Sequence, residues 1–344
     1  MAAPVFTARR DPRLRARIVS DRHLSYEGGP DTRIEERSTH VRAGSGLAWS
    51  GGNIVVIQDD ADYIAVIQPG GGGATGFRLK SPSAPVARPG REAVTLHLEA
   101  VLSVRDWRGE FLVAFGSGAR PERRCMARVR FGGGDTELSV FETRKFYAAL
   151  EDLPDFATTT LNIEGVALVP KGMDGRDGVR LFHRANGKPR AGVPEGRHLS
   201  ATIDVRLDAL LAYLDRCKRD SSATLGMPLL NLRRYDLDEV MGVPFTFTDA
   251  AALPDGRVLY LAGAERCEDA GIDGECFGTA LGVIDTDGCA RYAVIVERDG
   301  TPTRRMPEGL AVVDDNSVFV VIDPDGPKDA DRPSTLCSIE LSGL

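Results

Sequence analysis

The run Pro307-Glu308-Gly309-Leu310-Ala311-Val312-Val313-Asp314-Asp315-Asn316-Ser317-Val318-Phe319-Val320-Val321-Ile322-Asp323 reads as an acid, a small residue, an apolar strand, a polar turn and a second apolar strand. The same order recurs four times upstream. Ser45-Gly46-Leu47-Ala48-Trp49 runs into Asn53–Ile57, Leu98-Glu99-Ala100-Val101-Leu102 into Phe111–Phe115, Ile163-Glu164-Gly165-Val166-Ala167-Leu168 into Val179–Phe182, and Thr248-Asp249-Ala250-Ala251-Ala252-Leu253 into Val258–Leu261. A two-strand unit repeated along a chain marks a closed or stacked repeat fold.

Outward from these pairs, period-two runs bounded by Gly, Asp and Pro predict further strands near 62–68, 124–130, 136–142, 200–206, 229–235, 279–285, 291–297 and 335–341. The last unit then ends one strand short, and residues 14–24 form a strand that stands before the first. If that N-terminal strand completes the last unit, the chain closes on itself and exposes no sheet edge. Gly46, Glu99, Glu164, Asp249 and Glu308 serve as anchors 53, 65, 85 and 59 residues apart. The long third gap is accounted for by a short amphipathic helix over 208–219, where Leu210, Leu211 and Leu214 recur at helical spacing. The expectation is an all-β chain folded as one β-propeller domain over residues 1–344, with five blades. A sixth remains open if the polar run before Gly46 or the stretch 184–230 hides another. A β-sandwich or a two-domain protein does not predict the recurrent start.

Forty-three basic against fifty acidic residues, a net charge of -7, argue against nucleic acid as the partner. No apolar run of spanning or leader length follows the arginines of the amino terminus, so no membrane association and a cytoplasmic location are expected. Six cysteines without CxxC spacing indicate neither a zinc knuckle nor a disulfide framework; Cys267 and Cys276 bracket an acidic loop, and a bridge between them stays open.

In a propeller the first strand of each unit lines the axis, so Glu99, Glu164, Asp249 and Glu308 are expected to converge there. Converging carboxylates repel unless a cation stands among them. One reading is a divalent ion held by these four, calcium being the hard cation that oxygen donors suit; a second is direct acid–base catalysis, for which Glu164 and Glu308 are the candidates. A third is structural: each acid caps neighbouring amides or pairs with an arginine. A cationic set lies in the loops after the second strands, Arg120, Arg123 and Arg124, Arg184 and Lys188, and Arg266. Ser117 with the adjacent backbone amides, Arg120, Arg124, Arg184 and Asn186 is expected to form a pocket for a small anion; loop-tip solvation or pairing with the acids is the alternative. No nucleophile motif is present, and none of the five histidines neighbours another in sequence.

Ile163–Leu168, Pro307–Val312, Phe247–Arg257 and the run Leu112-Val113-Ala114-Phe115-Gly116-Ser117-Gly118-Ala119-Arg120-Pro121-Glu122-Arg123-Arg124 resemble an uncharacterised family of bacterial propeller proteins. That family is itself similar to the esterase-like domain of some phytases and, more remotely, to calcium-dependent gluconolactonases. The resemblance covers most of the chain for the first family and the Glu-Gly-small-apolar start alone for the lactonases. It implies a propeller. The lactonases hold their metal with a Glu, two Asn and an Asp on different blades, which would place Glu308 or Glu164 as the Glu, Asp249 as the Asp and Asn186 as one Asn. Two functions follow: a divalent-metal-dependent hydrolase of an anionic ester, phosphoester or lactone at the central channel, or a binding or scaffold propeller without turnover whose acids and arginines are structural.

Overall fold

The computed structural model describes residues 2–29, 37–61, 63–79, 96–132, 135–173, 175–191, 198–226, 228–266, 274–324 and 332–344. Apolar residues alternating at period two, separated by turns, give successive four-stranded antiparallel units, the fourth and fifth joined into one sheet where Ile295 and Val296 pair in parallel with Ala16 and Arg17. The first unit contains Gly44–Ser50, Asn53–Gln58, Tyr63–Ile67 and Thr75–Arg78. The second contains Leu98–Asp106, Gly109–Gly116, Cys125–Gly132 and Asp135–Glu142. Ile163–Met173, Arg176–His183, Ser200–Arg206 and Leu230–Asp236 form the third, with Val5–Thr7 added in parallel at its outer edge. Val243–Ala252, Val258–Arg266, Glu275–Ile284 and Ala290–Val296 form the fourth.

The fifth sheet takes its strands from both ends of the chain. Pro307–Asp314, Ser317–Ile322 and Thr335–Ser342 are followed in space by Arg15–His23, paired antiparallel from Thr335 opposite His23 to Ser342 opposite Arg15. The expected strand at 14–24 therefore fills the vacant edge. The first strands of the units neighbour one another in cyclic order, and that of the fifth returns to that of the first. The architecture is an all-β, propeller-like fold.

Two helices interrupt the sheets. α2, Leu207–Cys217, lies where helical spacing predicted it and buries Leu210, Tyr213 and Leu214, while Leu211 is only partly covered. α1, Arg144–Glu151, was not expected; it buries Phe146, Tyr147 and Leu150 in the same core, between the second and third units. Among the described residues no helix is long and apolar enough to cross a membrane. Cys267, with its pairing to Cys276, lies outside the described residues.

Every first strand slips register once near its start, at Gly44/Gly46, Leu98/Ala100, Ile163/Gly165, Phe247/Asp249 and Pro307/Gly309. The extra residue of each bulge is Ser45, Glu99, Glu164, Thr248 or Glu308. The anchor alignment is corrected in two units: Ser45, not Gly46, and Thr248, not Asp249, match the three glutamates. Asp249 stands one place further on, with Gly46, Ala100, Gly165 and Gly309. At that place neighbouring first strands approach closely. A Cβ on Gly309 would lie 2.8 Å from the Gly46 backbone, and one on Gly165 would lie 2.9 Å from the Ala250 nitrogen. The small residue of the repeated motif is thus a contact requirement between units.

Candidate functional site

The bulges direct Glu99, Glu164 and Glu308 from three first strands into one electrostatic neighbourhood. Burial holds the Glu99 carboxyl well above its ordinary range, and the charges of Asp59 and Glu164 push it the same way. Glu308 is also held well above that range, first by burial, then by Glu164, Glu265 and Glu99, with Arg184 acting against them. Glu164 is raised too, but Arg184 is the largest influence opposing burial there. Like charges withdrawn from water cannot all ionise.

Arg184 supplies the local cation. It follows directly on the strand Arg176–His183; its Nη1 lies 3.5 Å from Glu164 Oε1, its Nη2 donates to Glu265 Oε2 at 2.7 Å, and its Nε donates to Thr246 Oγ1 at 3.4 Å. Both carboxylates and the guanidinium are under a tenth exposed. Ser200 Oγ–H donates to the Arg184 carbonyl at 2.9 Å, and Glu265 Oε1 accepts the Gly274 N–H at 2.6 Å. Asn162 Nδ2 donates to Glu164 Oε1 at 2.5 Å and to Asn186 Oδ1 at 3.1 Å. Its backbone N–H donates to His183 Nδ1 at 3.1 Å, and burial pushes that imidazole down to about 4, so it is neutral at pH 7.

The remaining expected residues divide. Asp249 is 1 % exposed, and its two oxygens accept the Ala250 and Leu310 N–H groups, each at 2.7 Å, tying the fourth unit's first strand to the fifth's. Glu308 is half-buried and, among the described residues, has neither a hydrogen bond nor an ion pair. Ser117 is fully buried, and its carbonyl accepts the Ile163 N–H. Arg120 is exposed, and Arg124 turns to Glu151, 2.7 Å away, and to the Gly118 carbonyl, so neither joins the acids. Arg184 and Asn186 do.

The sequence placed Arg123 only in the cationic loop set, and Glu265 and Asn162 not at all. Pro121 opens a single 3-10 turn, Pro121–Arg123, which leaves Arg120 outside and carries Arg123 into the interior, 3.9 Å from Glu99 Oε1. A proline at the head of a basic run was the available signal. Glu265 lies on the strand Val258–Arg266, beyond the apolar run Val258–Leu261 that marked it in the sequence.

Two of the four acids expected to hold calcium are otherwise engaged. Glu164 already accepts from Asn162 and faces Arg184, Asp249 is occupied by two amides, and the guanidinium of Arg184 stands where a metal would have to neutralise charge. Among the described residues no group of three or more His, Cys, Asp or Glu side chains is placed to hold an ion.

The chain belongs to a family of unknown function (DUF6929), whose model matches residues 40–341. No curated protein matches it. Among solved structures it is similar to an exo-1,5-alpha-L-arabinanase from a bovine ruminal metagenomic library, at 10% identity over 88% of this chain and 93% of that one with a TM-score of 0.45. It is also similar to a mannose phosphorylase from Leishmania mexicana, at 12% identity over 93% and 88% with a TM-score of 0.45. A gluconolactonase from Xanthomonas campestris matches at 13% identity over 93% and 97%, with a TM-score of 0.36. At these values the likenesses transfer no activity.

Proposed function

We propose that the chain is one closed five-bladed propeller domain that hydrolyses a small anionic ester, phosphoester or lactone at its axis by acid–base chemistry. In this reading Glu308 is the protonated carboxyl and Glu164 the ionised one. The observation that carries it is the difference in their partners. Glu308 has no bonded partner and is held well above its ordinary range, which favours a neutral carboxylic acid able to protonate a leaving oxygen. Glu164 accepts from Asn162 and faces Arg184, which favours the carboxylate able to take a proton from water. The buried guanidinium of Arg184 beside Glu164 favours an anionic substrate. Hydrolysis of an ester or lactone also agrees with the resemblance to phytase esterase-like domains and gluconolactonases, although no step here runs through calcium. Cytoplasmic residence is part of the proposal and is checked by cell fractionation.

A panel of carboxylate-bearing aryl esters, phosphoesters and lactones tests it against the wild type, Glu308→Gln and Glu164→Gln. Turnover by the wild type should fall about 100-fold or more in Glu308→Gln, the range removed with a general acid. Equal rates in the two proteins would retire the reading. One observation favours the non-catalytic alternative: Asp249 and Arg184 bind elements of different units to each other, as structural locks do.

A further inference from the structure

The guanidinium of Arg123 is 7% exposed, and among the described residues its side chain donates no hydrogen bond. Its nearest carboxylate oxygen, Glu99 Oε1, is 3.9 Å away, beyond hydrogen-bond reach. An arginine cannot discharge itself by losing a proton, and its Nε, buried without an acceptor, is an unmet demand. On the same loop, Ser117 is fully buried and its Oγ has no partner. The loop folds the two positions together: the Gly118 N–H donates to the Arg123 carbonyl at 3.1 Å. That carbonyl would sit 2.2 Å from a Cβ on Gly116, so only glycine there lets the loop close in this way. The Ser117 carbonyl in turn meets the Ile163 N–H, next to Glu164.

We infer that Arg123 and Ser117 form a receiving site for an oxyanion, a carboxylate or a phosphate group, at the edge of the axial acids. The inference deepens the proposed function by naming the part of the substrate held and the residues that hold it, and to that extent it rests on that reading. A planar fork of N–H donors suits a carboxylate or phosphate and would supply the missing acceptors, with the Ser117 hydroxyl donating to a further oxygen. Glu99 fits the same role. Held well above its ordinary range by burial, Asp59 and Glu164, it leaves Arg123 without a full counter-charge and can itself donate to a bound oxygen. Arg120 and Arg124, which the loop's composition also offers, are excluded by exposure and by the pairing with Glu151.

The test is thermal stabilisation and calorimetric titration of the full chain with inorganic phosphate in one arm and glycolate, a small carboxylate, in the other. The arm that raises the melting temperature identifies the oxyanion. Arg123→Met, which keeps the length of the side chain without its charge, and Ser117→Ala should each weaken that binding about tenfold or more, as loss of a charge-assisted hydrogen bond does. Arg120→Ala, on the same loop but exposed, should leave it unchanged. Arg123→Met removes one partner of a long ion pair with Glu99, 3.9 Å apart, so its folding is checked first by thermal unfolding; should it fail to fold, Ser117→Ala decides alone. No binding of either anion by the wild type, or unchanged affinity in Ser117→Ala and Arg123→Met, overturns the site. Glu308→Gln separates the two claims: it should keep the anion affinity while losing turnover. Binding without turnover on the ester panel retires the catalytic reading and leaves this site standing.

Discussion

Asp249 and Glu308 stand in neighbouring first strands, and burial pushes both carboxyls well above the usual range, yet their oxygens meet opposite surroundings. Those of Asp249 accept two backbone N–H groups, one from its own strand and one from the next unit. The carboxyl of Glu308 has no such partner among the described residues. One residue of register makes the difference. Glu308 is the extra residue of a bulge, which aims its side chain at the axis, whereas Asp249 takes the place where the other units carry glycine or alanine and bridges the seam between units. An acid in the repeated motif is therefore not one kind of residue: register decides whether it joins two sheets or faces the site.

The comparison is broken most severely through Arg184, which neutralises the acids on the axial side. Arg184→Met leaves Glu164 and Glu265 buried without their cation and should destabilise the protein by about 3–5 kcal/mol in urea unfolding. A loss under about 1 kcal/mol, the size of a surface pair, would mean that solvent screens these carboxylates. Asp249→Ala comes next, at about 1–3 kcal/mol, because it leaves buried amides without an acceptor. If it proves no more damaging than Glu308→Ala, the distinction between seam and site fails.

A pH series sharpens the contrast. The carboxyl of Glu308 is raised above its ordinary 4.5 by burial and by Glu164, Glu265 and Glu99, with Arg184 opposing. The folded protein then holds this proton more tightly than the unfolded chain does. Its contribution to stability is complete below the ordinary value and is lost as pH rises through the folded one. Glu308→Gln, neutral at every pH, should flatten the decline of unfolding free energy above pH 4.5. An unchanged slope would show that the wild-type carboxyl titrates as an exposed one.

Much of this fold was legible because apolar runs at period two report a half-buried strand wherever it lies, and the strand at 14–24 was visible by the same rule as the partner the fifth unit lacked. Strands that carry little of that signal were missed. Thr75–Arg78 is four residues long and follows a glycine run, and α1 shows only one clear turn of apolar spacing. At the site the residue types were legible and the register was not. Thr248-Asp249-Ala250 repeats the acid-small pattern of Glu164-Gly165, but the bulge falls on the threonine, and composition does not reveal which of two adjacent residues a bulge extrudes. Arg123 was hidden for a related reason, since a single 3-10 turn decides which arginine of four neighbouring polar residues points inward.

The smallest expected effect concerns calcium. A site that binds the ion with micromolar affinity would gain about 4 kcal/mol of stability at a thousandfold excess, enough to move the melting temperature by several degrees. In this protein two of the four acids that would coordinate the ion are engaged: Asp249 through both oxygens by amides, Glu164 through Oε1 by Asn162 and Arg184. Adding an ion there requires a guanidinium and a divalent cation to share one buried carboxylate, and each repels the other. Calcium and a chelator should therefore each leave the melting temperature in place to within about 1 °C. A rise with calcium that Arg184→Met enlarges would show ion and arginine competing for the same carboxylates, and would move Glu164 and Glu308 from acid–base roles to those of metal ligands.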